Sequence, residues 1–144
     1  MLLILFVTMT TIVFTVAIHY EVLTHLSKTH FRRQWPARLL MTVGVLIVIL
    51  THVVEVWLFG LTYYALFMLG GVGEIVGDFD YGMLDCVYFS FVNYTTLGYG
   101  DLVPTGHIRF VAGSEALVGL VVIDWSASFT YLEMQRMANG PDNG

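Results

Sequence analysis

The stretch "NYTTLGYGD", from Asn93 to Asp101, decides the fold of this chain. Two glycines, Gly98 and Gly100, flank one tyrosine in a sequence that is otherwise rich in large apolar residues. Glycine adopts left-handed backbone dihedrals freely, whereas other residues resist them. A strand that alternates between ordinary and left-handed dihedrals points its consecutive carbonyl groups to the same side. The stretch therefore predicts a row of backbone oxygens.

The composition indicates a membrane protein. Of the 144 residues, 57% are hydrophobic and 12% are charged, and the mean hydropathy of +0.76 is far above that of water-soluble domains. With six Lys and Arg residues and a formal net charge of -5, the chain has no basic face for nucleic acid. The single cysteine, Cys86, excludes an intrachain disulfide and a multi-cysteine metal site, and we expect it to be a small buried residue.

Residues 1–18 contain no charged side chain and are long enough to cross the hydrocarbon core of a bilayer. No basic segment precedes this run and no small-residue cleavage site follows it, which favours a spanning helix over a signal peptide. The polar stretch that follows holds four of the six basic residues, Lys28, Arg32, Arg33 and Arg38. Because basic loops remain in the cytoplasm, we expect residues 1–35 to form an N-terminal transmembrane helix and a basic cytoplasmic linker.

Two further apolar runs cover residues 39–69 and 110–134. The first is long for one crossing, and two crossings are an alternative. The loop after it, residues 70–109, has five acidic residues and one basic residue, which suits the outer side. We therefore expect one long crossing that tilts, bends near Gly60 or projects past the lipid. The chain would be a multi-pass cell-membrane protein, with its N-terminus outside, a pore unit over 36–136 and a short cytoplasmic tail over 137–144.

A short apolar and aromatic segment, Met83 to Tyr94, precedes the glycine stretch. It is too short to span a bilayer and is typical of a re-entrant helix. Non-helical backbone at membrane depth is tolerated only where protein surrounds it or where it lines a water-filled path. Backbone carbonyls can replace the water shell of an ion without trapping it. The two segments together predict an ion path lined by carbonyl groups.

Residues 88–104, "YFSFVNYTTLGYGDLVP", resemble the pore helix and selectivity filter of tetrameric potassium channels, whose signature is TVGYG. The resemblance is clear over residues 83–104, extends to the helix on either side and does not include residues 1–35. It implies an all-α membrane protein with three transmembrane helices, a re-entrant pore helix and a selectivity-filter loop, assembled as a tetramer. Because the chain has one filter strand and no internal repeat, four identical copies would form the ring.

By position, the resemblance implies that K+ ions are coordinated by the backbone carbonyls of Thr96, Leu97, Gly98 and Tyr99 and by the Thr96 hydroxyl. The side chain of Tyr99 would face the surrounding protein. The partially negative C-terminal end of the pore helix would favour a cation in the central cavity.

The sequence departs from the family pattern at Leu97, where the family most often has valine, and at Tyr88, in a pore helix that lacks the family's frequent tryptophans. Both differences favour an alternative, a weakly selective monovalent cation channel. We expect the Tyr88 hydroxyl to bond Asp101 and Asn93 to bond Tyr99. The residues expected to support the filter are Gly100, Asp101, Tyr88 and Asn93.

Ionisable side chains inside spanning segments are costly and are candidates for function. Counted at about 1.5 Å per residue, Glu55 and Glu115 fall at similar depth in the outer half of the membrane. His52 lies one turn from Glu55 on the same helix face. The three are gating candidates as a proton-sensitive cluster behind the filter. The alternative, which we favour, is a structural hydrogen-bonded contact between the outer and inner helices.

Asp124 and Gly119 in the last helix are further gating candidates. The segment "EALVGLVVID", residues 115–124, is similar to the inner helix of inward-rectifier potassium channels, in which an acid four residues after a glycine lines the cavity. Here the spacing is five, which rotates the side chain by roughly 100°. Asp124 could thus face the cavity and attract cations, or bond Ser126, Ser128 or a neighbour's threonines. Gly119 could be a hinge or a small residue for close helix contact.

The sequence therefore predicts passive K+ conduction by a homotetramer embedded in membrane lipid. An enzyme is not expected, because no nucleophile, base and orienting group come together. No arginine ladder for voltage sensing is present, so gating would come from the filter, the inner helices, protons, lipid or an unidentified regulatory partner. The alternatives are the weakly selective cation channel and a non-conducting membrane subunit of a channel assembly.

Overall fold

The computed structural model describes residues 1–30 and 36–138 of the chain. Two short strands, β1 (Ile75–Val76) and β2 (Val103–Pro104), pair antiparallel in the loop region around the glycine stretch. The helices of the described ranges, in chain order, are α1 (Leu2–His30), α2 (Ala37–Leu69), α3 (Met83–Tyr94) and α4 (Ile108–Ala138).

Three of these helices are long and apolar enough to cross a membrane. The second of them, α2, is continuous over 33 residues, about 50 Å at the rise of an α-helix, so residues 39–69 form one helix that does not break near Gly60. The short helix α3 begins and ends at the residues predicted for it. The predicted class, an all-α membrane protein with three spanning helices and one short helix before the last of them, is confirmed.

The first helix is longer than predicted. The sequence indicated a helix over residues 1–18 and then a polar linker, whereas α1 continues to residue 30. Leu23 and Leu26 are buried in one cluster with Val48 of α2, and Phe129 of α4 packs against that cluster. Residues three apart share a helix face, so this contact stabilises further turns in spite of their polar neighbours. The basic residues at positions 32 and 33 lie outside the described residues.

The short helix α3 packs against the backbones of both α2 and α4. Gly60 of α2 permits this approach, since a Cβ built there would lie 2.7 Å from Val87 Cγ2. A Cβ on Gly119 of α4 would collide with the carbonyl oxygen of Tyr94. Small residues let neighbouring helices approach closely. Gly119 therefore has the close-contact role that the sequence left open, and its hinge role stays a prediction.

Apolar contacts fix the position of α3. The larger hydrophobic cluster surrounds it, and within this cluster Tyr63 of α2 and Phe89 of α3 meet edge to face with ring centroids 5.0 Å apart. Cys86 is fully buried there, as predicted. The smaller cluster joins α1, α2 and α4 at the other end of the bundle. The segment that follows α3 therefore starts from a helix held by both neighbouring spans.

Candidate ion-conduction site

The glycine stretch is anchored to the last turn of α3 by its own backbone. The amide of Thr95 donates to the Phe91 carbonyl at 3.2 Å, and the amide of Thr96 donates to the Asn93 carbonyl at 2.9 Å. The Gly98 amide reaches back to the carbonyl of Val92 at 3.3 Å. The chain thus leaves the helix by a tight reversal, which fixes where the following carbonyl groups begin.

The backbone of this stretch alternates between ordinary and left-handed dihedrals, as the positions of its glycines predicted. Gly98 and Gly100 have φ angles of 54° and 80°, both in the left-handed region. Thr96, two residues earlier, also has a positive φ of 59°, which the sequence did not indicate. A β-branched residue in this region is a strained exception that persists only where its surroundings enforce it. Every second residue from 96 to 100 is therefore left-handed.

One face of the strand is open in the single chain. Leu97 is 59% exposed and Tyr99 is 66% exposed, and their neighbours in residues 95–101 are exposed as well. Large apolar side chains in an exposed row are typical of a surface that another protein chain covers. The structure therefore leaves Tyr99 free to face surrounding protein.

Of the two hydrogen bonds predicted to support the filter, one forms and the other does not. The Tyr88 hydroxyl donates to Asp101 Oδ2 at 2.7 Å, as predicted, and this hydrogen bond raises the pKa of Tyr88. The amide of Asn93 donates instead to the Phe89 carbonyl at 2.8 Å. A hydrogen bond from Asn93 to Tyr99 is not among those of the described residues, because the side chain reaches its own helix one turn back.

A two-stranded ladder links the segments on either side of α3 and the glycine stretch, and the sequence analysis did not predict it. Ile75 of β1 lies opposite Pro104 of β2, and the Thr105 amide donates to the Glu74 carbonyl at 2.8 Å. The ladder joins the segment before α3 to the segment after residue 101. Strands of two residues give little sequence signal, since a period of two needs a longer run to be recognised.

The two acids singled out in the sequence, Glu55 and Glu115, belong to two separate clusters rather than to the single one predicted. Glu115 of α4 is fully buried and accepts a hydrogen bond of 2.5 Å from the Tyr63 hydroxyl of α2. Ser90 of α3 also donates to Glu115, and its hydroxyl lies 2.8 Å from the Val56 carbonyl. This cluster joins α2, α3 and α4. It agrees with the favoured alternative of a structural hydrogen-bonded contact between the helices on either side of the pore loop.

The second cluster surrounds Glu55, which is also fully buried. His52 Nδ1 lies 3.1 Å from Glu55 Oε2, as their spacing predicted, and the Tyr94 hydroxyl donates to the same oxygen. His19 of α1 completes the cluster, with Nδ1 2.9 Å from Glu55 Oε1. Sequence analysis missed His19, although it is the first polar residue after the charge-free run and an imidazole is expensive there without a partner.

The remaining gating candidate, Asp124, is exposed on α4 in the single chain. No hydrogen bond of the described residues includes it, so the predicted alternative of a bond to Ser126 or Ser128 within the chain is not formed. Ser126 instead lies 3.2 Å from His19 Nε2 and 3.1 Å from His52 Nε2. Asp124 is therefore available to face a cavity or a neighbouring copy.

With this arrangement established, comparison with known proteins gives the class. A protein-family model described as "Ion channel" matches residues 51–132, from the middle of α2 through α3 and the glycine stretch into α4. The match covers more than half of the chain, which therefore belongs to this ion channel family. It is a membrane protein that conducts ions passively. Comparisons with curated proteins and with solved structures found no match.

Proposed function

We propose that the chain is the pore subunit of a potassium-selective channel and conducts K+ passively as a homotetramer. The observation that carries the proposal is the alternation of left-handed residues at Thr96, Gly98 and Gly100 directly after a short helix. Such a backbone turns consecutive carbonyls to one side, and rings of carbonyls replace the hydration shell of K+. The ligands are the carbonyls and hydroxyl that the resemblance implied, those of Thr96, Leu97, Gly98 and Tyr99.

Four copies supply the ring that one strand cannot. A single strand offers oxygens from one side only, and the other sides of an ion must be filled by other chains. The exposed side chains of Leu97 and Tyr99 supply an apolar surface for a neighbouring copy to cover. Closed cyclic symmetry is the common arrangement for identical chains. The partners are therefore three further copies and the surrounding lipid.

The charges at the two ends of the bundle support an orientation. Lys28 at the end of α1, Arg38 at the start of α2 and Arg136 near the end of α4 belong to the same end. Under the positive-inside rule this end is cytoplasmic, which puts the N-terminus and the β1–β2 ladder outside. The C-terminal end of α3 then favours a cation in the cavity, where the exposed Asp124 adds negative charge if α4 turns it inward.

The experiment is ion flux from liposomes that hold the purified full chain, with K+ inside and Na+ outside and then reversed. We expect K+ to move and Na+ to be retained. Gly98→Ala is the test variant, because within one chain no atom lies within 4 Å of the added Cβ and the left-handed dihedral is what opposes it there. That dihedral costs an alanine about 1–2 kcal/mol in each copy, so the K+/Na+ flux ratio should fall by roughly tenfold or more.

Gly113→Ala in α4 is the matched control, since its Cβ also meets nothing within 4 Å and no left-handed dihedral is required there. It should conduct as the unaltered chain does. A K+/Na+ ratio that is the same in the Gly98→Ala variant, the control and the unaltered chain would contradict the role of the strand. No flux from any of them would favour the non-conducting subunit.

A second candidate, a weakly selective monovalent cation channel, is favoured by one observation. Leu97 replaces the smaller valine of the family signature, and its side chain is 59% exposed at the surface where a neighbour would pack. A larger side chain at that contact would change the width of the ring. Passage of both ions through the unaltered chain, with recovery of selectivity in Leu97→Val, would establish this candidate.

A further inference from the structure

The buried cluster around Glu55 has the composition of a metal site, and we propose that it binds one Zn2+ ion per chain. His19, His52 and Glu55 each offer one ligand atom, and these atoms all lie within 4.8 Å of one another. Two imidazoles and one carboxylate form a ligand set that Zn2+ takes in proteins. The inference does not depend on potassium selectivity, since it concerns side chains outside the filter strand.

The distances are those from which a zinc site forms with little movement. In tetrahedral coordination with bonds of about 2.1 Å, neighbouring ligand atoms lie roughly 3.4 Å apart. His19 Nδ1 is 2.9 Å from Glu55 Oε1, and His52 Nδ1 is 3.1 Å from Glu55 Oε2. Each of these two pairs must separate slightly for an ion to replace the proton between them, and any ligand atoms near the 4.8 Å limit of the set must come closer. The Tyr94 oxygen, 2.9 Å from His52 Nδ1, is placed to be a fourth ligand.

Ser126 provides a second observation that is independent of the ligands. Its Oγ lies 3.2 Å from His19 Nε2 and 3.1 Å from His52 Nε2. A metal-bound histidine almost always donates its other ring N–H to an outer acceptor, which fixes the tautomer and orientation of the ring. A serine oxygen has two lone pairs and can accept from both rings. The two Nδ1 atoms are then directed toward Glu55 and the ion.

Burial and access also suit a cation. Glu55 and His19 are fully buried, and a carboxylate in such a place requires positive charge nearby. The His52 side chain is 19% exposed and lines a groove of about 420 Å³ between α2 and α4, together with Ser126. An engineered or natural metal site needs such an entry path. The groove leads directly to one of the proposed ligands.

The ion would join helices that are separate in the sequence. His19 belongs to α1, His52 and Glu55 belong to α2, and Tyr94 is the last residue of α3, one residue before Thr95. Bound Zn2+ would therefore hold α1 against α2 and against the end of α3, where the candidate filter begins. In this proposal α1, which lies outside the matched ion channel region, supplies a metal ligand that attaches it to that region.

The test is metal binding by the purified full chain in detergent, independent of any flux measurement. The chain is incubated with Zn2+, dialysed against a weak chelator and analysed for metal by mass spectrometry. We expect one Zn2+ per chain, and with Co2+ the visible absorption of a four-coordinate site. Failure of the unaltered chain to retain Zn2+ overturns the proposal, whatever the flux experiment shows.

Variants locate the site. His19→Gln and His52→Gln should lose the retained metal, whereas the control His107→Gln, which alters an exposed histidine before α4, should keep it. Metal retained equally by all three overturns the assignment. Ser126→Ala preserves every ligand and removes only the shared outer acceptor, so it should weaken Zn2+ binding by roughly 10–100-fold. Unchanged affinity in Ser126→Ala also contradicts the site, even if the histidine variants do not assemble.

Discussion

The candidate filter strand depends on backbone atoms, whereas the polar interior behind it depends on side chains. In residues 95–101 the atoms of interest belong to the backbone, are exposed in one chain and are placed by dihedral angles. Around Glu55 and Glu115 they belong to side chains, which are buried except for the half-buried His52 and come from four helices. A side chain can therefore be changed in the filter strand at small cost to the fold, whereas in the interior it cannot.

Glu55→Ala should have the largest effect and so gives the most direct test of this difference. The change removes the carboxylate that His19, His52 and Tyr94 share, and each buried polar group left without a partner costs about 1–3 kcal/mol. We expect the purified chain to lose its native elution volume at a clearly lower temperature, measured by size-exclusion chromatography after stepwise heating in detergent.

Glu74→Ala is the matched control for this variant. Glu74 is exposed, and its described hydrogen bonds to Thr105 are made by its backbone amide and carbonyl. The control should behave as the unaltered chain does. Equal losses in the two variants would show that buried and exposed acids contribute alike, and the distinction between the regions would be wrong.

Gly119→Ala should have an intermediate effect on stability. It introduces a steric clash in the interior and removes no polar partner. The added Cβ would collide with the carbonyl of Tyr94, and overpacking of this kind costs about 1–3 kcal/mol. The same heating series should show a moderate decrease for this variant. Gly113→Ala, which meets no atom within 4 Å, should instead be neutral or slightly stabilising, since alanine favours a helix. A stable Gly119→Ala chain would mean that α4 moves away from α3 without cost.

The sequence predicted the local structure of residues 83–101 well because its determinants are local. The bounds of α3, the left-handed dihedrals of Gly98 and Gly100, and the bond between Tyr88 and Asp101 all lie within one continuous stretch. Thr96 was missed because a threonine has no intrinsic preference for a left-handed dihedral. Its conformation is imposed by the hydrogen bonds that anchor the strand to α3.

The interior was predicted only in part because its contacts join distant residues. The spacing of His52 and Glu55 on one helix was sufficient to bring them together, since residues three apart share a face. His19 lies 36 positions before Glu55, and periodicity does not say which face of α1 meets α2. The same limit explains the early end predicted for α1, whose last turns depend on contacts with α2 and α4.

Tyr88→Phe should have the smallest effect on stability. It tests whether a side chain is needed to restrain the candidate filter strand. The hydrogen bond from Tyr88 to Asp101 is exposed, so water can replace it and its removal should leave the heating series unchanged. Asp101 directly follows Gly100, and without this bond the outer end of the strand is less restrained. We therefore expect K+ flux to decline faster or the K+/Na+ flux ratio to fall.

Tyr64→Phe, a change on α2 outside the filter region, should leave both flux quantities unaltered and is the control. If the Tyr88→Phe chain matches this control, the dihedral angles alone maintain the width of the strand, and the support predicted for Tyr88 is wrong. If only the Tyr88→Phe chain loses selectivity while its heating series is unchanged, the filter strand depends on one side chain for its function but not for its fold. In the interior, function and stability cannot be separated in this way, because the side chains there stabilise the same helices that they position.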